Sequence, residues 1–165
     1  MHSLMAKRNN FAMFGLGTAA FLTFMLGKEE YGVEMLKVTA IRDYDGIISV
    51  ARIPDEIKGA ISLHGTLVPV TDLRLMFDTE PAKVELYTPV IVLSSKNQTL
   101  GIVVDWISDV RRISAAEVEP VQSAGPLVQA GCIAGIVPVR DGALHLIDVE
   151  KLISGFDRNP VCLVR

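Results

Sequence analysis

Short apolar stretches separated by polar turns recur along most of the chain, and few of them are long enough for a helix. The stretches FLTFML (residues 21–26) and YGVEML (residues 31–36) flank a polar turn at residues 27–30. Short apolar runs bounded by turn residues in this way are typical of strands. The pattern therefore predicts a first hairpin at the start of a mostly β fold.

Further hairpins are predicted in the second half of the chain. TPVIVLSS and TLGIVVDWI are joined at Lys96-Asn97-Gln98, and CIAGIVPV meets ALHLI at Arg140-Asp141-Gly142. The Asp-Gly pair is a strong turn signal. Beyond it, residues 147–153 have the 3.6-residue spacing of a short helix, with Asp148 as its N-cap.

Irregular positions interrupt the strand pattern in the first half. In LKVTAIRDY the apolar residues do not hold one phase, which predicts a bulge or bend near Ile41. ISLHG and TLVPVTDL are joined tightly at Gly65-Thr66, and Pro69 in the second stretch predicts an edge strand, because proline has no N–H to donate. The polar stretch from Asp78 to Glu85 is the best internal boundary.

The N-terminal segment contains an uncharged run from Phe11 to Leu26. Its 16 residues fall short of the roughly 18 that a membrane-spanning helix needs, so we expect no membrane insertion. The run also resembles a signal peptide, with cleavage allowed after Ala20. We favour a flexible extension up to residue 20 and a buried strand that begins at Phe21, and we retain an exported binding domain as an alternative.

Composition limits the kinds of partner. Half of the 165 residues are hydrophobic, so one large core or two small barrels are possible, with apolar surface left for a partner. The net charge is -3, and Lys and Arg are scattered, which argues against nucleic acid or an anionic membrane. The two cysteines, Cys132 and Cys162, form no C-x-x-C pair and indicate neither disulfides nor zinc.

Candidate chemistry is sparse. His2, His64 and His145 are isolated in sequence, so we expect no metal and no catalytic group, and no cofactor motif is present. Asp72 and Asp105 each close an apolar strand, where an aspartate caps a turn or, alternatively, serves as half of an acid and base pair.

A longer succession of motifs is far more specific. FLTFMLGKEEYGVEMLKVTAIRDY, ARIPDEIKGAISLHGTLVPVTDLRLMF, YTPVIVLSSKNQTLGIVVDWISDV and LHLIDVEKLI follow one another over residues 21–153. This order resembles the CheW-like coupling proteins of bacterial chemotaxis. The resemblance implies two side-by-side five-stranded SH3-like β-barrels with short helices and no enzymatic activity.

The expected organisation follows from this resemblance and from the polar linker. It comprises a flexible N-terminal extension (1–20), a first barrel (21–83), a second barrel with a C-terminal helix (84–155) and a tail (156–165). The barrels could exchange their terminal elements.

The resemblance also implies partners and a site. It implies a cytoplasmic adaptor that links the signalling tips of methyl-accepting chemotaxis receptors to the regulatory domain of a chemotaxis histidine kinase. The receptor contacts are expected in the groove between the barrels, at Val38, Gly59, His64, Trp106, Ile107 and Val110. The kinase contacts are not assigned. The alternative from a different class is a regulatory module derived from the kinase itself and separated from its catalytic part.

Four positions depart from the pattern of these coupling proteins. His64 and Ala40 stand where arginine and glutamate are usual, and Pro89 and Trp106 stand where valine and glycine are usual. Losing both members of a buried charged pair can be nearly neutral, whereas losing one costs roughly 3–5 kcal/mol. We therefore expect a less charged groove in which His64→Arg alone destabilises the protein or weakens binding. Trp106 is expected to cover part of this groove.

Overall fold

The computed structural model describes residues 17–44, 57–73, 87–121 and 131–158. Within these ranges the chain forms ten strands and one α-helix. They are β1 Thr18–Leu26, β2 Glu29–Glu34, β3 Val38–Asp43, β4 Ile57–Leu63, β5 Thr66–Asp72, β6 Pro89–Ser95, β7 Gln98–Val103, β8 Trp106–Ser114, β9 Ile133–Val139, β10 Gly142–Ile147 and α1 Val149–Arg158. Single 3-10 turns lie at Met35–Lys37 and Ala115–Glu117. The prediction of a mostly β fold is confirmed.

The strands form two five-stranded sheets. Sheet A has the order β8-β1-β2-β10-β9, and sheet B has the order β3-β6-β7-β5-β4. Sheet A is curled, because Glu119, just beyond β8, makes an isolated bridge to Ile136 in the opposite edge strand β9. The backbone N–H of each of these two residues donates to the carbonyl oxygen of the other, at 2.7 and 2.9 Å.

The two sheets repeat one pattern of pairing. In each, a hairpin lies at the centre (β1–β2 or β6–β7), an antiparallel edge strand flanks it on one side (β8 or β3), and a second hairpin pairs in parallel on the other (β9–β10 or β4–β5). The chain therefore contains two topologically equivalent halves, β1–β5 and β6–β10.

Each sheet combines strands from both halves. The first half gives its β1–β2 hairpin to sheet A and β3, β4 and β5 to sheet B, while the second half does the reverse. The expected boundary between residues 83 and 84 thus separates two halves of the chain but not the two sheets. Strand pairing between distant segments depends on tertiary packing, which a local composition signal does not report.

Three apolar clusters fill this arrangement. One lies inside sheet A around Phe21, Ile113 and Leu144, and one lies inside sheet B around Ile61 and Val92. The third, here called the central core, joins the two sheets and α1. Its buried members include Phe24, Tyr31, Ile91, Leu93, Ile102, Ile147 and Leu152.

Strand β6 shows how the sequence serves two clusters at once. Val90 and Val92 belong to the cluster inside sheet B, whereas Ile91 and Leu93 belong to the central core. Successive side chains of a strand point to opposite faces, so a strand buried on both faces is apolar at every position. The run PVIVL is therefore a strand without polar alternation.

The hairpin turns use residues with left-handed backbone. His64 (φ 51°) and Gly65 (φ 82°) connect β4 to β5, one residue earlier than predicted, and Lys96 (φ 51°) and Asn97 (φ 66°) connect β6 to β7. Two consecutive residues with positive φ are typical of the type I′ turn, whose twist matches that of paired strands.

The prediction that Pro69 marks an edge strand is wrong. Strand β5 lies between β7 and β4. Pro69 is tolerated there because it opposes Ala60 in β4, while the parallel pairing with β7 begins only at Val70. No hydrogen bond to β7 is therefore required of the residue that lacks an N–H.

The terminal predictions fall partly outside the described residues. Strand β1 begins at Thr18, so the last residues assigned to the extension are already paired, with Thr18 opposite Ser114 and Ala20 opposite Arg112. Residues 1–16, the linker at 78–85 and the tail from 159 lie outside the described ranges. In the part of the chain that the structure describes, no helix is long and apolar enough to cross a membrane.

Candidate functional site

The candidate site is built on the edge strands β3 and β8, each of which carries a one-residue bulge. In β3, Val38 opposes Leu93 and Ala40 opposes Val92, so Thr39 is the extra residue. In β8, Ile107 opposes Phe24 and Asp109 opposes Thr23, so Ser108 is the extra residue. A bulge of this kind resets which side chains face a given side of the sheet.

The bulges place two apolar pairs on the side of the central core. Ile41 opposes Ile91 and shares its face, as Val38 shares that of Leu93. In the same way, Val110 opposes the buried Leu22 in β1. Val38, Ile41, Ile107 and Val110 are here called the apolar rim.

The rim residues occupy equivalent positions in the two halves. Val38 corresponds to Ile107 and Ile41 to Val110, because the bulges, the opposing strands and the pairing directions match. Val38 and Ile107 are half-buried and pack against the central core, whereas Ile41 and Val110 are 45% and 51% exposed. Each edge thus combines an anchored apolar side chain with one that is accessible to a partner.

The sequence-based site missed Ile41. The phase break predicted near Ile41 is the signal that could have found it, since the bulge lies two residues earlier, at Thr39. A bulge makes residues three apart share a face, so Val38 and Ile41 belong together in the same way as Ile107 and Val110.

The start of β8 is fixed by Asp105. Its carboxylate accepts a hydrogen bond from the backbone N–H of Gly27 (2.6 Å), and its own N–H donates to the carbonyl of Met25 (3.1 Å). Asp105 therefore caps a turn, as one sequence interpretation held, but it is the distant β1–β2 turn. Gly27 has φ 64°, which favours glycine.

Trp106 follows Asp105 and is 56% exposed. It opposes Met25, while its neighbour Ile107 opposes the buried Phe24. Adjacent residues of a strand point to opposite faces, so the indole lies on the other side of β8 from the apolar rim.

The other predicted site residues lie at the opposite edge strand of sheet B. Gly59 is buried in β4, with φ 146° next to a register shift, so its contribution is a backbone conformation that favours glycine. His64 is exposed in the β4–β5 turn. The structure thus brings Val38 and Ile107 to one core and leaves Gly59 and His64 on separate elements.

The structure overturns the expectation of a buried charged pair at positions 64 and 40. Position 64 is exposed in the β4–β5 turn. Exposed pairs contribute only about 0–1 kcal/mol. A large stability cost for His64→Arg alone is therefore no longer expected.

The buried titratable groups have structural surroundings. His145 stacks on Tyr31 with ring centroids 5.0 Å apart, and its Nδ1 lies 3.2 Å from the carbonyl oxygen of Glu30. Tyr31 Oη donates to Glu29 Oε2 (3.1 Å), and burial together with this carboxylate raises the pKa of Tyr31. Burial and the carboxylate of Asp148 raise the pKa of the Cys132 thiol, against a smaller opposing effect of Lys151. A thiol with a raised pKa is a weak nucleophile.

Asp148 performs the predicted N-cap. The backbone N–H of Lys151 donates to its Oδ1 at 3.1 Å. The helix is also tied to the β6–β7 turn by an ion pair between Lys96 and Glu150 (2.7 Å). Among the residues of the described ranges, no group of three or more His, Cys, Asp and Glu side chains could hold a metal ion.

Fold and rim together define a β protein of two interleaved five-stranded sheets with bulged apolar edges. A family model described as a CheW-like domain matches residues 20–156. The chain belongs to the CheW-like family.

Named relatives agree with this assignment. The chain is 40% identical over 134 residues to the chemotaxis protein CheW of Klebsiella aerogenes, covering 81% of each chain. It is 25% identical over 136 residues to the protein FrzA of Myxococcus xanthus, covering 81% of this chain and 84% of that one. Among solved structures, the scaffolding protein TtCheW from Thermoanaerobacter tengcongensis has the same fold, with a TM-score of 0.70 at 24% identity, over 79% of this chain and 84% of that one.

Proposed function

We propose that this protein is a cytoplasmic, non-catalytic adaptor of a chemotaxis-type signalling system. It holds the cytoplasmic tip of a methyl-accepting chemotaxis receptor and the regulatory domain of a histidine kinase in a fixed relative geometry. Membership of the CheW-like family and the relative named as a scaffolding protein support this assignment. Each contact can be modest, because an array of adaptors raises the effective concentration of every partner.

The apolar rim is the observation that carries the receptor part of the proposal. Ile41 and Val110 are about half exposed, yet each lies beside a side chain anchored on the central core. Partly exposed apolar side chains on a rigid support offer apolar surface that a partner can bury. The rim contacts that we propose are Val38, Ile41, Ile107 and Val110. Gly59, His64 and Trp106, the other predicted receptor contacts, lie away from the rim, and we propose that they act on receptor binding outside it.

The first test is binding of the purified protein to a receptor cytoplasmic fragment and to the kinase regulatory domain from the same cell, separately and together. We expect both to bind and a ternary complex to form at micromolar concentrations. Binding to the kinase domain alone would mean that this rim has lost or exchanged its receptor, and binding to neither would overturn the adaptor function.

Rim variants locate the receptor contact. Val110→Asp places a charge in an apolar contact and should weaken receptor binding at least tenfold. A factor of ten corresponds to about 1.4 kcal/mol of binding free energy. Binding to the kinase domain should stay unchanged, which serves as the control for folding. Tyr87→Ala is the matched control, because Tyr87 is an exposed large apolar residue (80%) outside the rim. An equal loss for Val110→Asp and Tyr87→Ala would contradict a receptor contact at the rim.

A second variant separates recognition from turn geometry at His64. Asparagine tolerates the left-handed backbone of a type I′ turn as well as histidine does, so His64→Asn should leave the thermal midpoint unchanged or slightly higher. If the imidazole contacts the receptor, the dissociation constant rises several-fold. Unchanged receptor binding would remove His64 from the contact set.

A further inference from the structure

The apolar residues of the two rim edges are nearly interchangeable. The correspondence of the halves exchanges sheet A with sheet B, so it acts as an approximate two-fold rotation. It places Val38 of β3 on Ile107 of β8, and Ile41 on Val110. Each edge therefore presents one valine and one isoleucine. Because apolar attraction has no preferred direction, these residues alone would bind a partner almost equally well in two orientations related by the rotation.

Charge breaks this equivalence one step further along each strand. Asp43 lies two residues beyond Ile41 in β3, and Arg112 lies two residues beyond Val110 in β8, so each shares the face of its rim residue. Both are exposed, and the correspondence of the halves places one on the other. Arg112 donates to Oγ1 of Thr18 (3.3 Å), and its guanidinium has further N–H donors for a carboxylate. One edge thus ends in a negative charge and the other in a positive charge.

The charges on the opposite face of these strands do not reverse the difference. Arg42 and Arg111 correspond to each other, so they add the same charge to both edges. Asp109 also lies on that opposite face of β8. Its carboxylate Oδ1 accepts a hydrogen bond from the backbone N–H of Val110 (2.7 Å) and so serves its own strand. On the face of the rim, the two edges therefore differ in the sign of their charge.

We propose that Asp43 and Arg112 set the orientation in which the receptor tip binds the apolar rim. The receptor surface that fits has an acidic side chain beside the apolar residue that meets Val110, and a basic side chain beside the one that meets Ile41. In the rotated orientation each charge meets its own sign, and this repulsion excludes it. The inference rests on the proposed adaptor function and adds to it the chemistry of the receptor surface and two specificity-determining residues.

Single charge reversals in the full-length protein test whether the two residues contribute to binding. We expect Arg112→Glu and Asp43→Arg each to weaken binding of the receptor cytoplasmic fragment about fivefold at low salt, with a smaller loss at high salt because of screening. Arg140→Glu is the matched control for the net charge, since Arg140 is exposed in the β9–β10 turn. It should bind like the wild-type protein. Binding of the kinase regulatory domain reports on folding in every variant.

The exchange variant, Asp43→Arg with Arg112→Asp, tests the orientation itself. A photoreactive residue replaces Thr39 or Ser108, the exposed extra residues of the two corresponding bulges, and the crosslinked receptor peptides are identified by mass spectrometry. We expect the peptide captured from position 39 in the wild-type background to be captured from position 108 in the exchange variant, and the reverse. The rotated orientation then matches both charges, so the exchange variant should lose less affinity than the two single variants combined.

The outcomes separate this inference from the adaptor function. If the wild-type protein fails to bind the receptor fragment, both are overturned. If it binds, but Arg112→Glu and Asp43→Arg have no greater effect than Arg140→Glu, only the orienting role is overturned. Crosslinks that keep their positions in the exchange variant would likewise overturn the orienting role and leave the adaptor function in place.

Discussion

Glu34 shows how a single charged residue reflects its surroundings. It closes β2 and is half-buried, and burial raises the pKa of its carboxyl above the ordinary 4.5. Lys37 partly offsets this rise, and the carboxylate of Asp148 adds to it. The folded state therefore holds the proton more tightly than the unfolded state does. The free energy of unfolding therefore decreases as pH rises from the ordinary pKa of 4.5 to the raised pKa of the folded state. Above the raised pKa, the full cost of burying the ionised carboxylate of Glu34 is present.

Replacing Glu34 should therefore stabilise the protein at neutral pH. We expect Glu34→Gln to raise the midpoint of urea unfolding at pH 7, with a smaller difference at pH 4, where the carboxyl is mostly protonated in both states. Glu119→Gln, at an exposed position, is the control and should change little at either pH. A Glu34→Gln variant that is less stable at pH 7, or equally shifted at both values, would contradict this explanation.

The two central hairpins have glycine at one equivalent position, but the space around the two glycines differs. Gly32 in β2 opposes Leu146, and Gly101 in β7 opposes Val70. A Cβ at Gly101 would lie 2.9 Å from Cγ2 of Val70 and 3.2 Å from Cγ1 of Val90, whereas one at Gly32 would meet its nearest atoms at 3.5 Å. Valine is stiff about χ1 and cannot easily give way.

Alanine at these glycines should therefore have unequal effects. Gly101→Ala should lower the free energy of unfolding by about 1–3 kcal/mol, the usual cost of overpacking a core. Gly32→Ala should be neutral or slightly stabilising, because alanine restricts the unfolded chain. Chemical denaturation of both variants measures the difference. Equal losses in the free energy of unfolding would show that the close contact with Val70 is not the cause of the destabilisation at Gly101.

Because every cluster combines both halves, the two sheets should unfold together. Trp106 is the only tryptophan and lies in sheet A, so its fluorescence reports on that sheet. Ile61 lies in sheet B and is 2% exposed. Loss of packing in sheet B should shift the unfolding transition that Trp106 fluorescence reports only if the two sheets unfold as one cooperative unit.

Ile61→Ala provides this test of cooperativity. The substitution should lower stability by about 2–5 kcal/mol, and the fluorescence and far-UV circular dichroism transitions should shift together. Separate transitions, with the tryptophan signal unmoved, would show that the sheets unfold independently.

The turns, strands and helix cap were accessible from sequence because short-range chemistry decides them. Lys96-Asn97 forms a turn as predicted, and Asp148 caps α1 through a hydrogen bond to a residue three positions away. The motif succession that resembled the CheW-like proteins was likewise readable along the chain, and family membership is confirmed.

Other features required the tertiary structure. Pro69 was assigned to an edge because its pairing partners could not be known, and Asp105 caps a turn formed by residues far away in sequence. Ile41 joined the site only when the register of β3 against β6 was defined.

The sequence by itself therefore determined the β elements, their turns and the family, since each rests on neighbouring residues or on an ordered set of motifs. Only the tertiary structure decided which strands pair, that both sheets draw on both halves, and that the apolar rim repeats at two bulged edges. The physical reason is that pairing is chosen by burial of distant apolar faces against each other, and a strand such as β6, apolar on both faces, is compatible with more than one neighbour until the cores form.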